Sequence, residues 1–427
     1  MRVLMFGWEY PPHISGGLGT ACLGITQGLA EREVDILFVV PKAYGDEPFP
    51  RGTLIGAEGT PHRLQQVPRK IGRLLQISVP SQLHAYPQAT YRGLYEIEHT
   101  TYEVEAASTH RGFHFSGGYG PNLITEVAHY ASIGGRIAKE HSFDVIHAHD
   151  WPSFPAGIVA KKATGKPLVV HVHATEYDRS GFNINRQVYE IEKMGIDEAD
   201  RVICVSNLTR QRVINLYNAD ASKVEVVHNG VEHFANALTA EESTRPTAEK
   251  VVSFLGRITY QKGPAFFVEV AKKVLDHVPN VRFVMAGDGD MLPAMVERVA
   301  HYRLGDRFHF TGFLRGKEVA KLLSQSDVFV MTSVSEPFGI VPLEAMQMRV
   351  PVVLSRQSGV SEVLRYAIKA DFWDIDSLAD AIYGLISYPA LHTFLSANGH
   401  TESMNLSWAD AAKKIERCYQ KVIGTVA

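Results

Sequence analysis

Two short stretches in the second half of the chain bring acids, bases and glycines together at spacings that suit a phosphorylated ligand. The first runs Ser335-Glu336-Pro337-Phe338-Gly339-Ile340-Val341-Pro342-Leu343-Glu344-Ala345-Met346. Gly339 permits a tight turn and Pro342 is tolerated in a first helical turn, so the pattern predicts a helix starting near Ile340. The backbone N–H groups of such a first turn form an anion site suited to a diphosphate. Glu336 precedes that helix and Glu344 lies within it, which lets one carboxylate face a sugar while the other reaches a ribose. The second stretch is Gly256-Arg257-Ile258-Thr259-Tyr260-Gln261-Lys262-Gly263. On this glycine-bounded loop Arg257 and Lys262 offer fixed positive charge to a departing diphosphate, and the arginine can hold two oxygens at once. The pair supplies what a metal ion otherwise would. Taken singly these residues have ordinary uses too: acids near a helix start complement its dipole, and loop cations are commonly solvated.

The first half carries a second set. Glu9-Tyr10-Pro11-Pro12-His13-Ile14-Ser15-Gly16-Gly17-Leu18-Gly19-Thr20 joins an apolar run to a helical stretch. Its glycines let backbone approach a phosphate or sugar, although Gly-Gly-x-Gly is not the dinucleotide fingerprint and a plain turn explains it as well. Farther on, His147 with His149 and His171 with His173 alternate along two apolar runs, so each pair faces one way. Such pairs can bind zinc, which makes a metal-dependent hydrolase a rival. The acidic partners that a hydrolase needs do not follow in a matching order, and His147, His149 and His171 are expected to be satisfied buried histidines. His228-Asn229-Gly230 is consistent with a turn. Asp288-Gly289-Asp290 and Asp374-Ile375-Asp376 mimic an Asp-x-Asp metal motif, but both precede helical stretches and are expected to cap them. No metal site is expected.

These residues need a frame. Short apolar runs recur with helical stretches between them: Val3 to Phe6, Ile36 to Val40, Val145 to Ala148, Leu168 to Val172, Val202 to Val205 and Val224 to Val227. Such runs predict buried parallel strands in βα units. A polar stretch near 236–250 predicts a linker. A second set follows: Val251 to Leu255, Val281 to Ala286, Phe308 to Thr311, Val328 to Met331 and Val350 to Leu354. The expectation is therefore an α/β chain of two Rossmann-like, doubly wound parallel-sheet domains, 1–235 and 251–404, facing a cleft where strands end. Residues 405–427 would form a last helix packing back on the first domain.

Composition narrows the function. At 427 residues, with 45% hydrophobic and 21% charged residues, the chain is large enough for two cores and has a globular balance. A net charge of -3 gives no reason to expect a nucleic-acid partner. Three dispersed cysteines, Cys22, Cys204 and Cys418, fit neither a disulfide framework nor a zinc knuckle, and suit a reducing cytoplasm. No apolar stretch has the roughly 18 residues of a membrane helix. Arg63, Arg69, Lys70 and Arg73 cluster in a stretch taken as a solvated loop.

The two C-terminal motifs, at their separation, resemble the donor-site signature of retaining GT-B glycosyltransferases, family 4 in particular. The Gly-Gly-Leu-Gly opening and Val145-Ile146-His147-Ala148-His149-Asp150-Trp151 resemble those of glycogen and starch synthases. One departure is Ile14, where bacterial and plant synthases usually place a lysine. The likeness implies that Arg257 and Lys262 bind the diphosphate, Glu336 the sugar hydroxyls, backbone from Phe338 through Gly339 and Ile340 to Val341 the phosphates, and Glu344 the ribose. It adds Gly16, Gly17, Leu18 and Gly19 to the donor side, and His149, Asp150, Trp151 and Asn229 to the acceptor side. His173 falls where related enzymes carry a histidine near the donor sugar, and counts with Glu336, Arg257 and Lys262 as catalytic. By the same likeness the activity would be metal-independent, retaining hexosyl transfer without a cofactor, from a UDP- or ADP-sugar to a carbohydrate acceptor, an α-glucan first. A lipid, cell-wall or small sugar-phosphate acceptor, a sugar-nucleotide epimerase and a non-catalytic nucleotide-sugar binding protein are the alternatives.

Overall fold

The computed structural model describes residues 1–13, 16–58, 114–120, 122–232 and 249–426. Ile14, the four-residue basic cluster, nearly all of the Pro61–Gly120 insertion and residues 236–248 of the linker lie outside the described residues.

Seven strands form the first sheet: β1 (Arg2–Phe6), β2 (Asp35–Val40), β3 (Gly52–Gly56), β4 (Val145–His149), β5 (Leu168–Val172), β6 (Arg201–Cys204) and β7 (Val224–Val226). All pairs are parallel, in the order β3-β2-β1-β4-β5-β6-β7. Six more form the second: β8 (Lys250–Leu255), β9 (Val281–Ala286), β10 (Phe308–Gly312), β11 (Val328–Met331), β12 (Val352–Ser355) and β13 (Ile368–Ala370). They too pair in parallel, as β10-β9-β8-β11-β12-β13. This is the doubly wound α/β frame. Parallel strands need crossover helices, which cover the sheet faces and bury the central strands, hence their unbroken Val/Ile/Leu runs.

The departures lie at edges. β3 and β13 were not expected: β3 begins with the exposed Gly52 and Thr53, and β13 has three residues. Neither is buried enough to need an apolar run. β12 starts at Val352, after Pro351, which has no N–H to give. Lys250, expected as the last linker residue, opens β8.

By contacts the chain divides into two compact units. The first holds Met1–Val205, Thr209–Val227 and Trp408–Ala427, and the second Ser206–Leu208 and His228–Ser407. In the first, the last helix (Trp408–Val426) buries Trp408, Ala411, Ala412, Ile415, Cys418, Tyr419 and Val422, one face at helical spacing. It packs on the helix Gly17–Glu31. The approach is close because Gly24 has no side chain: a Cβ there would lie 2.1 Å from the Trp408 ring.

Asp374 caps the helix Ile375–Ser387, accepting from the Ser377 N–H, as expected. The other pair does not cap. The helix after Asp288-Gly289-Asp290 begins at Leu292 with Met291 at its cap position, and Asp288 instead accepts from the Gly289 N–H at 2.8 Å. Cys22, Cys204 and Cys418 are buried free thiols. Among the described residues no helix is long and apolar enough to cross a membrane.

Candidate active site

In each sheet the strand order reverses at one place, between β1 and β4 in the first and between β8 and β11 in the second. Ligands of open α/β sheets bind beyond the strand ends at such points. The motif residues fall in two groups there, one on each sheet.

In the second unit, β8 ends at Leu255 and the loop Gly256–Gly263 follows; β11 ends at Met331 and leads into Thr332–Gly339. Backbone joins the loops: the N–H groups of Val334 and Ser335 donate to the Gln261 carbonyl at 3.0 and 3.4 Å. The Thr332 hydroxyl donates to the Gly263 carbonyl at 2.9 Å. On this frame the Lys262 ammonium donates to the buried Glu336 carboxylate, and the Ser333 hydroxyl donates to the same oxygen at 3.3 Å. Arg257 donates to the Gln261 side-chain oxygen at 3.4 Å, a weak tether that leaves most of its five donors to other partners.

Gly339 has φ +102°, a left-handed conformation that L side chains disfavour, and a Cβ there would stand 3.1 Å from Glu336 Cγ. The turn brings the chain into the helix Val341–Gln347, with Ile340 at its N-cap and Pro342 in the first turn, where the sequence put it. Phe338 is buried, its ring 6.0 Å from that of His228, and Asn229 is buried beside it in the chain. The half-buried Glu344 has its carboxyl pushed up to about 7, first by desolvation and then by the nearby Glu232.

In the first unit, β1 leads to Trp8 and Glu9 and the helix Gly17–Glu31 starts after Gly16. The buried Glu9 carboxylate accepts from the Gly19 N–H at 3.0 Å and from the Tyr119 hydroxyl at 2.5 Å. A protein carboxylate therefore already serves this helix start, where the glycine pattern alone had allowed a phosphate. In the first turn Gly17 is exposed and Leu18 half-buried.

At the end of β4, Asp150 has φ +57°, and its carboxylate accepts from the N–H groups of His173 and Ala174 at 2.7 and 3.3 Å. Burial pushes its carboxyl up to about 6 against the pull of Arg179 and these two donors. His173 pairs through Nε2 with Nδ1 of His149 at 3.1 Å, and burial lowers its imidazolium to about 3. His149 and Trp151, expected on the acceptor side, are buried, Trp151 within the hydrophobic core, so they support the strand ends rather than present rings outward. The expectation of satisfied histidines also needs correcting. His147, His149 and His171 are buried, but Nε2 of His147, Nε2 of His149 and both ring nitrogens of His171 have no hydrogen-bond partner.

The family model described as Glycosyltransferase Family 4 matches residues 15–233, half of the chain, and that described as Glycosyl transferases group 1 matches 235–401. The chain belongs to glycosyltransferase family 4. This glycosyltransferase is 28% identical to an uncharacterised glycosyltransferase of Methanocaldococcus jannaschii, over 98% of both chains. It is 25% identical to the glycogen synthase of Mycobacterium tuberculosis, covering 91% of this chain and 87% of the relative. Anabaena HepE in complex with UDP-glucose shares its fold, with a TM-score of 0.68 at 16% identity over 99% of this glycosyltransferase and 100% of HepE.

Some residues of the glycosyltransferase escaped the sequence reading. Glu9 stood in a quoted motif without a role. The segment after His173 is held by a buried charge network: Arg179 pairs with Glu176 and Glu192, Arg212 pairs with Asp178, and Tyr217 donates to Glu192. Its local signals are Thr175 followed by Asp178, which form a capping box, and Glu176 followed by Arg179 at i,i+3. The other partners are distant in sequence.

Proposed function

We propose that this glycosyltransferase moves a hexosyl unit, glucose first, from a UDP- or ADP-sugar to a growing α-glucan, keeping the anomeric configuration and using no metal on the diphosphate. The observation that carries the reading is the Lys262–Glu336 pair at the switch point of the second sheet, with Arg257 on the same loop. Breaking the bond between the anomeric carbon and the phosphate oxygen builds positive charge on the sugar and negative charge on the leaving diphosphate. Cations fixed by the fold before the reaction stabilise the second of these without reorganisation.

In this reading Lys262 and Arg257 take the diphosphate, with backbone from Phe338 through Gly339 and Ile340 to Val341. Glu336 accepts from sugar hydroxyls and Glu344 from the ribose. Gly16, Gly17, Leu18, Gly19 and His173 contribute to the donor sugar. Asp150 and Asn229 belong to the acceptor side, with His149 and Trp151 supporting from within. The acceptor hydroxyl attacks on the face the phosphate leaves; its proton passes to the leaving phosphate oxygen and the nucleoside diphosphate departs. The UDP-glucose held by HepE supports the donor, and the glycogen synthase relative supports the acceptor.

The test is to incubate the full chain with UDP-glucose or ADP-glucose, with and without glycogen, in EDTA, and to measure nucleoside diphosphate release and the configuration of the new linkage. Glycogen-dependent release with an α-linkage is expected. Release that other acceptors support and glycogen does not would remove the glucan assignment, and release abolished by EDTA would remove metal independence.

A further inference from the structure

His147 and His149 lie two residues apart on β4 and His171 lies on the adjacent β5, where it pairs in register with His149. Alternation along a strand puts the three imidazoles on one face of the sheet. All three are fully buried, and one nitrogen of each lies within 4.8 Å of those of the other two.

The hydrogen bonds sort the nitrogens. His147 Nδ1 meets the Tyr419 hydroxyl at 2.6 Å, and His149 Nδ1 meets His173 Nε2 at 3.1 Å. The opposite nitrogens, Nε2 of both rings, have no partner, nor has either nitrogen of His171. A metal-binding histidine characteristically gives one ring nitrogen to an outer partner, which fixes its orientation, and turns the other to the ion. Leaving several buried ring nitrogens unpaired is otherwise costly.

We propose that His147, His149 and His171 bind one divalent transition-metal ion of the zinc type within the first unit. Three neutral imidazole nitrogens are a donor set that zinc takes, with a fourth position for a small ligand. Bonds of about 2.0–2.1 Å in tetrahedral geometry set nitrogens about 3.4 Å apart, so the rings draw together by at most about 1.4 Å from the 4.8 Å bound. The ion ties β4 to β5 and, through Tyr419, to the last helix. A three-histidine set with an open position is elsewhere the catalytic type, but all three ligands here are fully buried, so the ion braces the fold and is distinct from any metal on the donor diphosphate. With its ligands buried, the ion is reached by a chelator only when the unit opens, and EDTA-resistant turnover over the time of an assay is compatible with a bound ion.

The experiment measures metal, not turnover. The full chain is expressed with zinc in the medium, desalted and analysed by mass spectrometry for metal content; about one zinc per chain is expected. His171→Gln and His147→Gln, checked for folding by circular dichroism, should each lose at least about nine-tenths of it, while the exposed control His277→Gln keeps it. Should the variants not fold, X-ray absorption of the zinc-loaded wild type decides, with a nitrogen shell carrying imidazole scattering expected. A wild-type chain that carries no zinc overturns the proposal, as does zinc retained in both folded variants or a sulfur-dominated shell.

Discussion

Glu336 is a buried carboxylate whose partners, Lys262 and Ser333, come from the loops that follow two adjacent central strands, β8 and β11. Replacing it with glutamine keeps the shape and removes the charge. With Glu336→Gln, kcat should fall about 10²–10³-fold, the loss typical of removing one preorganised charge-stabilising group. Circular dichroism should be unchanged, because the Lys262 side chain keeps 23% of its exposure and can be solvated. Turnover within a factor of three of wild type would take Glu336 out of the reaction. Glu344 makes a second, pH-dependent case. Its carboxyl is raised to about 7 by desolvation and Glu232, so as pH falls below 7 it takes up a proton that an ordinary glutamate would take up only near 4.5. The protonated acid accepts ribose hydroxyls poorly, so affinity for UDP-glucose should weaken below pH 7, by at most about tenfold per unit. The donor's own diphosphate has no proton to gain there. Isothermal titration from pH 6 to 8 checks this, and Glu344→Gln should flatten the profile; an unchanged slope in that variant would assign the pH effect elsewhere. For folding the sign is opposite to that of a salt-bridged acid: the raised group favours the folded state below about 4.5 and that contribution is lost as pH rises to about 7.

Among the elements, the pairing of the helix Gly17–Glu31 with the helix Trp408–Val426 depends on small residues. A Cβ on Gly24 would overlap the Trp408 ring at 2.1 Å, and one on Gly28 would lie 2.5 Å from the Trp408 carbonyl oxygen. Gly24→Ala should therefore destabilise the first unit by about 1–3 kcal/mol, the usual cost of overpacking. In a Trp408→Ala background the same change should cost at least about 1 kcal/mol less, since the atom it strikes is gone. Equal costs by urea denaturation in the two backgrounds would mean that the clash is not what matters. This contact also marks the limit of sequence reading. The apolar spacing of the last helix was legible, as were the central strands, because burial on two faces writes an unbroken run. Gly24 as a contact site was not legible, since its partner lies almost 400 positions away. At the site the same division holds: the turn at Gly339 and the helix start at Ile340 came from local chemistry. The grip of Glu9 on Gly19, the network around Glu192 and the unpartnered ring nitrogens of the histidines depend on which segments meet, and no local pattern carries that.

For the molecule as a whole, the first unit is not continuous in sequence: its last helix comes after the entire second unit. A chain ending at Ser407 thus contains every residue of the second unit but an incomplete first one. The missing helix buries Trp408, Ile415, Tyr419 and Val422, and Tyr419 also holds His147. At about 1.5–3 kcal/mol for each large apolar side chain, the four represent some 6–12 kcal/mol of burial. That is comparable with the roughly 5–15 kcal/mol of net stability of a typical domain, so the first unit should not stay folded without them. The second sheet and the Lys262–Glu336 pair lose no residue by the truncation. Thermal unfolding of the full chain and of the 1–407 chain, followed by limited proteolysis with mass identification, separates the cases. In the truncated chain cleavage should begin within 1–227, with fragments from 228–407 persisting and still binding UDP-glucose. Adding a synthetic 408–427 peptide should restore protection to the first unit if burial of that one face is what was lost. A truncated chain as resistant as the full one would show that the unit closes without its last helix, and that the packing of Trp408 against Gly24 contributes little.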